Sequence, residues 1–242
     1  MENNYWVVIP AAGVGKRMQA DRPKQYLPLR GKTVIEQTLS CFSHHPQIAG
    51  IVVVLSASDP YWSELDLHSD VPLHRAEGGS ERCHSVLNGL DVVAQYAADD
   101  DWVLVHDAAR PCLSRDDLDR LLCQAGEDNV GGILAVPVRD TMKRDNGNER
   151  IAQTVDRVGL WHALTPQMFP LGLLRTALQQ ALADGSEVTD EASAIEHIGL
   201  QPKLVEGSSC NIKITRPEDL ALAEFYLTVQ AADQMPAAQQ RV

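Results

Sequence analysis

Residues able to handle phosphate are concentrated in a few short stretches of this chain, and each stretch is also rich in turn formers. The first is PAAGVGKRM (residues 10–18). Ala11, Ala12 and Gly13 are small enough for the backbone to approach a ligand, the glycines aim successive N–H groups at phosphate, and Arg17 adds charge. It is neither a Walker loop nor a dinucleotide fingerprint, because Met18 stands where the third glycine belongs. RPKQYL (22–27) follows, with Pro23 holding the loop extended and Lys24 placed to close over a triphosphate. GGSERCHSV (78–86) reads as a flexible turn into a helix N-terminus, where Gly79 and Ser85 could meet a base edge or a phosphate. In WVLVHDAARPCL, His106 and Asp107 follow an apolar run. Asp107 is of the type that binds Mg²⁺, which prefers one or two carboxylates with phosphate oxygens and water, and Arg110 is placed to hold an anion. The weight for His106 falls on a structural role, since no His/Cys cluster surrounds it. Thr141, Arg157, Thr165, Thr189 and Lys213 are single polar residues that spacing alone leaves ambiguous. Plain alternatives stand beside each functional reading: a tight strand–helix turn, a solvated lysine, a capped helix, a turn aspartate.

The elements that must position these residues are legible from periodicity. WVVIP (6–10), IVVVL (51–55), WVLVH (102–106) and GILAVPV (132–138) are short, apolar and rich in β-branched residues, as strands buried on both faces are. Between and after them lie helix signals. Thr33 and Glu36 have capping-box spacing, Ser114 precedes a stripe of Leu118, Leu121, Leu122 and Ala125, and Leu171, Leu174, Leu178, Ala181 and Leu182 form another. Thr189 followed by Asp190 and Glu191 has N-cap character, and Thr215 with Glu218 predicts a cap for the helix carrying Leu220, Ala223 and Leu227. This alternation predicts an α/β fold with a doubly wound, mostly parallel sheet, which gathers ligands at the carboxyl ends of its strands.

Residues 139–159 break the rhythm. Asp145-Asn146-Gly147-Asn148 is a strong turn signal flanked by two short polar strands, 141–144 and 151–155. A two-stranded hairpin is marginal alone. It is expected to be a protruding arm that buries itself against a second subunit, with a surface hairpin lying on its own subunit as the alternative. Residues 231–242 lack a sustained apolar face and read as a flexible tail after a single domain over 1–230.

Composition sets limits on partners. The 242 residues are 44% hydrophobic, enough for a sizeable core, and carry a formal net charge of −12, which disfavours nucleic acid and anionic membranes. The sequence shows no membrane span and no secretory signal. Five dispersed cysteines without a C-x-x-C pair argue against a disulfide framework or a metal cluster and for a reducing, cytoplasmic location.

Taken in order, PAAGVGKRM, PKQYL, GGSER, VLVHDAARP, PVRDTMK, TVDR, LTPQ, TDEASA and NIKITRPEDL resemble the 2-C-methyl-D-erythritol 4-phosphate cytidylyltransferase family over most of the chain. The resemblance implies a Rossmann-like nucleotidyltransferase fold, an arm-mediated homodimer, Mg²⁺ as cofactor, and CTP with a polyol phosphate as substrates. It implies that Ala11, Ala12, Gly13, Gly79 and Ser85 hold the cytidine. Arg17, Lys24 and Lys213 would act on the phosphates, and Asp107 would serve the metal. Arg110, Thr141, Arg157, Thr165 and Thr189 would surround the methylerythritol phosphate, with Asp107 touching it too. The implied reaction is in-line attack of one phosphate on the α-phosphorus of CTP, for which positioning and charge neutralisation are the protein's contribution. A phosphate nucleophile is already ionised at neutral pH, so no general base is required. The rival readings are a ribitol-5-phosphate cytidylyltransferase, an NAD(P)-binding oxidoreductase and a non-catalytic nucleotide sensor.

Overall fold

The computed structural model describes residues 5–13 and 21–233. The strands are β1 (Tyr5–Pro10), β2 (Pro28–Leu29), β3 (Lys32–Thr33), β4 (Ile48–Leu55), β5 (Leu73–Glu77), β6 (Trp102–Val105), β7 (Gly132–Pro137), β8 (Met142–Asp145), β9 (Ile151–Val155), β10 (Trp161–Pro170) and β11 (Lys203–Glu206). The helices are α1 (Val34–Ser43), α2 (Arg82–Val93), α3 (Arg115–Gly126), α4 (Leu171–Ala183), α5 (Glu191–His197) and α6 (Glu218–Asp233).

Seven strands form one sheet in the order β11-β7-β10-β6-β1-β4-β5. β1 runs parallel to β4 and β6, β4 parallel to β5, and β11 parallel to β7, while β10 is antiparallel to both of its neighbours. The expected mostly parallel α/β sheet is therefore present, with one reversed strand inside it. Strand alternation sends side chains to opposite layers. Tyr5, Val7 and Ile9 of β1 face α1 and α3 in one core, with Phe42, Leu118 and Leu121. Trp6 and Val8 face α2, α4 and α5 in the other, with Leu90, Leu174 and Ile195.

Local chemistry explains most helix starts. Thr33 and Glu36 close the predicted capping box on α1, and Ser114 accepts from the Asp117 N–H at 3.1 Å to open α3. Two caps differ from expectation. α5 is capped by Asp190, whose carboxylate accepts from the Ser193 N–H, so Thr189 lies one residue outside the cap. Before α6, the Asp219 carboxylate gathers the Thr215 N–H, the Thr215 hydroxyl and the Arg216 N–H, so Asp219 takes the reach-back position expected of Glu218. Residues 231–233, read as the start of a tail, belong to α6. Residues 234–242 lie outside the described residues, as does Arg17.

Strands β8 and β9 pair with each other as a separate hairpin. Gly147 takes the positive φ of +87° that its turn needs.

Candidate active site

β1 has β4 on one side and β6 on the other, so the strand order reverses between β1 and β6. Open α/β sheets bind ligands beyond the carboxyl ends of strands at such a switch point. Here the ends of β1 and β6 deliver Ala11 and Asp107 to a cleft of about 430 Å³. Ala12, Gly13, Gly79, Ser85, Lys24 and Lys213 also line it.

The wall expected to hold a nucleoside is built by close packing. A Cβ on Gly78 would sit 2.4 Å from the Ala12 methyl, so the two loops approach as only glycine permits. Among the described residues, a Cβ on Gly13 would meet nothing within 4 Å. The buried Gln25 amide donates to the carbonyls of Ala11 at 2.7 Å and Gly13 at 3.1 Å, fixing the described part of the loop from below. The Ser85 hydroxyl accepts from the Gly79 N–H at 3.0 Å and donates to the Glu81 carbonyl at 3.1 Å. These two bonds hold the turn, and Ser85 also lines the cleft. Glu81 makes no side-chain cap on α2, so that helix opens uncapped on the cleft it lines.

Asp107 is ringed by cations. Lys213 Nζ is 2.8 Å from Oδ2, Arg110 Nε 3.4 Å from Oδ2, and Arg82 Nη2 and Nε are each 3.3 Å from Oδ1. Burial alone would raise its pKa, but Arg82, Lys213 and Arg110 together outweigh that and hold the carboxyl well below the usual carboxylate range. Arg82 also grips Glu191, the first residue of α5. Burial works to lower the pKa of Arg82, yet Glu191 and Asp107 together raise it, so its charge is secure. Lys24 Nζ donates to the Ile214 carbonyl at 2.8 Å, tying the second loop to the segment that carries Lys213.

Behind Asp107 lies a directed hydrogen-bond chain. His106 is fully buried, and its Nε2 is 3.0 Å from the Arg110 carbonyl, which only accepts. Nε2 therefore carries the proton and Nδ1 accepts from the Thr165 hydroxyl at 3.1 Å. Thr165 Oγ1 in turn accepts from the Asp107 N–H at 3.1 Å. Burial pushes the imidazole down to about 4, so it stays neutral and positions Asp107. That is the structural role its isolation in the sequence suggested.

A second cavity of about 230 Å³ adjoins the first. Arg110, Thr165 and Thr189 line it, and Arg82, Asp107 and Lys213 line both. Thr165 reaches it because the β10–β7 register breaks between Ala163 and Gln167. Thr141 and Arg157 are not brought to either cavity. Both are exposed on the arm region, and the Arg157 guanidinium donates to the Arg139 carbonyl of its own hairpin base.

Asp107 supplies a carboxylate at the junction, which suits Mg²⁺ as one protein ligand alongside phosphate oxygens and water. It is not a preformed metal cage, since among the described residues every charged partner it pairs with is a cation, and a metal at Oδ2 would compete with Lys213.

Arg82, Glu191, Gln25 and Asn211 were not singled out from the sequence. Asn211 donates to the Thr165 carbonyl at 2.8 Å and accepts from Arg110 Nη1 through its own carbonyl at 2.7 Å. All four stand inside motifs already recognised, and that position was the available signal.

A family model described as 2-C-methyl-D-erythritol 4-phosphate cytidylyltransferase matches residues 5–229. Proteins of that name from Ectopseudomonas mendocina and Pseudomonas aeruginosa are each 59% identical to this chain, covering 91% and 89% of it and 94% and 93% of their own lengths. The crystal structure of the Francisella tularensis enzyme superposes with a TM-score of 0.80 at 39% identity, covering 92% of this chain and 99% of that one. The Thermus thermophilus structure gives 0.75 at 32% identity, covering 96% and 100%.

Proposed function

This chain belongs to the 2-C-methyl-D-erythritol 4-phosphate cytidylyltransferase family, and from that premise we propose that its two adjoining cavities divide the substrates of CMP transfer between them. It is a CTP-dependent cytidylyltransferase that acts in isoprenoid precursor synthesis. The observation that carries the division of labour is the shared border: Asp107, Arg82 and Lys213 belong to both cavities.

In this reading the cytidine lies against Ala11, Ala12, Gly13 and Gly79, on the turn that Ser85 holds. The slot made by the Gly78–Ala12 contact favours a pyrimidine over a larger purine by size. The triphosphate runs toward Lys24 and Lys213, with Arg17 completing the clamp. The acceptor occupies the smaller cavity with its phosphate near Arg110 and its hydroxyls within reach of Asp107, Thr165 and Thr189. An acceptor phosphate oxygen attacks the α-phosphorus as the bond to the β-phosphate bridging oxygen breaks, and pyrophosphate leaves with that electron pair. Two anions must meet, and the border carries more cations than carboxylates, so repulsion is offset where the new bond forms. No proton needs to be removed, in keeping with the commitment of His106 to structure. Mg²⁺ bound to the phosphates with Asp107 as its protein ligand would neutralise charge on the leaving group.

The arm reading adds a homodimer. Ile151 and Val158 on the hairpin are 67% and 84% exposed, apolar surface that a second subunit would cover. In the dimer, Thr141 and Arg157 would serve the partner's acceptor cavity. The cytoplasm is the proposed location, in keeping with five unpaired cysteines. Among the described residues no helix is long and apolar enough to cross a membrane.

The test is pyrophosphate release from each common nucleoside triphosphate, with 2-C-methyl-D-erythritol 4-phosphate or ribitol 5-phosphate as acceptor. CTP with the methylerythritol phosphate should give the highest kcat/KM. A higher value with ribitol 5-phosphate would overturn the acceptor assignment.

A further inference from the structure

Beside the cleft, at the start of α2, three side chains of different donor type converge. Cys83 Sγ lies 3.8 Å from Glu81 Oε2 and 3.8 Å from His84 Nδ1. All three donor atoms fall within 4.8 Å of one another. From this geometry we propose that Glu81, Cys83 and His84 form a binding site for one zinc-type divalent cation.

The spacing suits such an ion. Zinc binds sulfur at about 2.3 Å and imidazole nitrogen or carboxylate oxygen at about 2.0 Å, so donors on a tetrahedral edge stand about 3.5 Å apart. The observed spacing needs only a small inward movement. Thiolate and imidazole with a single carboxylate favour zinc or cobalt over magnesium, which takes oxygen ligands. Charge balances as well: thiolate and carboxylate together offset the two positive charges of the ion, while His84 binds as neutral imidazole. Cys83 is 5% exposed and closes the inner side, whereas Glu81 is exposed, so the ion enters from solvent and a fourth position stays open to water. Binding expels the thiol proton to solvent and displaces the 3.3 Å contact between the Ser80 hydroxyl and His84 Nδ1.

The fold brings these donors together. Glu81 is the extended residue before α2, with φ −133° and ψ 172°, and its side chain makes no cap bond that would hold it elsewhere. Cys83 and His84 follow in the first turn. The cysteine arithmetic of the sequence argued against a metal cluster because it looked for cysteine pairs. A mixed Glu-x-Cys-His set escapes that count. The same segment forms the cleft wall, because the Glu81 carbonyl accepts from the Ser85 hydroxyl, which in turn holds the Gly79 N–H. An ion here would cross-link that wall. The site itself does not depend on the nucleotide reading.

The experiment uses the full chain, freed of metal with a chelator and titrated with Co²⁺. One equivalent should produce a thiolate-to-cobalt charge-transfer band with intense tetrahedral d–d absorption, and Zn²⁺ should abolish both. Cys83→Ser should lack the charge-transfer band, and His84→Ala should bind Co²⁺ more weakly by about 10-fold or more. Zn²⁺ should also raise the melting temperature of the wild type and leave Cys83→Ser unmoved. Circular dichroism and turnover without added transition metal establish that each variant is folded. A weak octahedral spectrum in the wild type, or a charge-transfer band that survives in Cys83→Ser, would overturn the proposal.

Discussion

Arg82 holds Glu191 with both arms of its guanidinium, Nη1 to Oε1 at 2.6 Å and Nη2 to Oε2 at 3.1 Å. Its Nε faces Asp107 Oδ1 at 3.3 Å, so one side chain ties the end of β6 to α5 at the border of the two cavities. The Glu191 side chain is 1% exposed and that of Arg82 32%. Removing one partner of a buried pair costs about 3–5 kcal/mol, and partial exposure of Arg82 reduces this to about 2–4 kcal/mol. Glu191→Gln is therefore expected to lose that much in urea unfolding. Arg82→Met with Glu191→Met together should lose less than the two single changes summed, and strict additivity would show that the pair is not coupled.

Lys24→Ala and Lys213→Ala are each expected to lower kcat by about 10²–10³ while changing CTP binding far less, because a preorganised charge counts most where charge develops. Single-turnover kinetics with saturating substrates separates the two effects. Near-wild-type turnover in either variant removes that lysine from the phosphate clamp. Arg17→Ala is the companion measurement for the glycine loop.

Asp107→Asn leaves Arg82, Arg110 and Lys213 without their shared counter-charge and replaces a hard anionic ligand by a neutral amide. Turnover should fall, and the Mg²⁺ concentration for half-maximal rate should rise. A Mg²⁺ curve superimposable on the wild type, with unchanged kcat, takes Asp107 out of the metal site.

His106 gives the fold an acid limit. Its folded pKa is pushed down to about 4, whereas an unfolded histidine titrates near 6.5. Between these values the unfolded chain binds the extra proton, so stability rises with pH through this window and is lost as pH falls from about 6.5 toward about 4. The loss is on the order of 3 kcal/mol across the window. Asp107, held below its ordinary range, adds a further loss at lower pH, beginning as pH falls through the ordinary carboxylate range and complete below its folded pKa. Urea unfolding at pH 7 and pH 5 measures the slope, and a His106→Gln variant that keeps the same slope would assign it elsewhere.

Arg157 lies on the arm and lines neither of the two described cavities of its own chain. Mixing Arg157→Ala chains with Lys24→Ala chains is expected to restore activity in heterodimers, where one site carries both changes and the other neither. Random pairing leaves roughly a quarter of all sites wild-type in composition. Heterodimers seen by native mass spectrometry without recovered turnover would place Arg157 outside the partner's site.

Short-range features were legible in the sequence, and long-range ones were not. The Thr33–Glu36 box, the strand ends before Ala11 and His106, and the hairpin around Gly147 each depend on residues within a few positions of one another. Arg82 and Glu191 are 109 residues apart, and no local spacing announces their pairing. β10 was hidden for a different reason. Pro166 interrupts it and its exposure pattern is mixed, so WHALTPQMFP does not read as a strand between two others, yet the register break around that proline brings Thr165 to Asp107. At α5 the charged Asp190 beside Thr189 takes the Ser193 N–H, and before α6 the Asp219 carboxylate reaches back to the Thr215 and Arg216 N–H groups, so the cap falls on a neighbour of the residue the spacing singled out.

The reversed strand also makes the molecule divisible. In the proposed division of substrates, the cytidine wall comes from residues before 90, whereas Ala163, Leu164, Thr165 and Thr189 of the second cavity all fall within residues 161–197. Evolution, or an engineer, can treat that stretch as a cassette. A chimera carrying residues 161–197 from a relative with a different alcohol phosphate, with Thr165 and Glu191 retained, would acquire the donor's acceptor scope while keeping its own taste for CTP. The ratio of kcat/KM for the two acceptors reports the swap, and kcat/KM for CTP serves as the internal control.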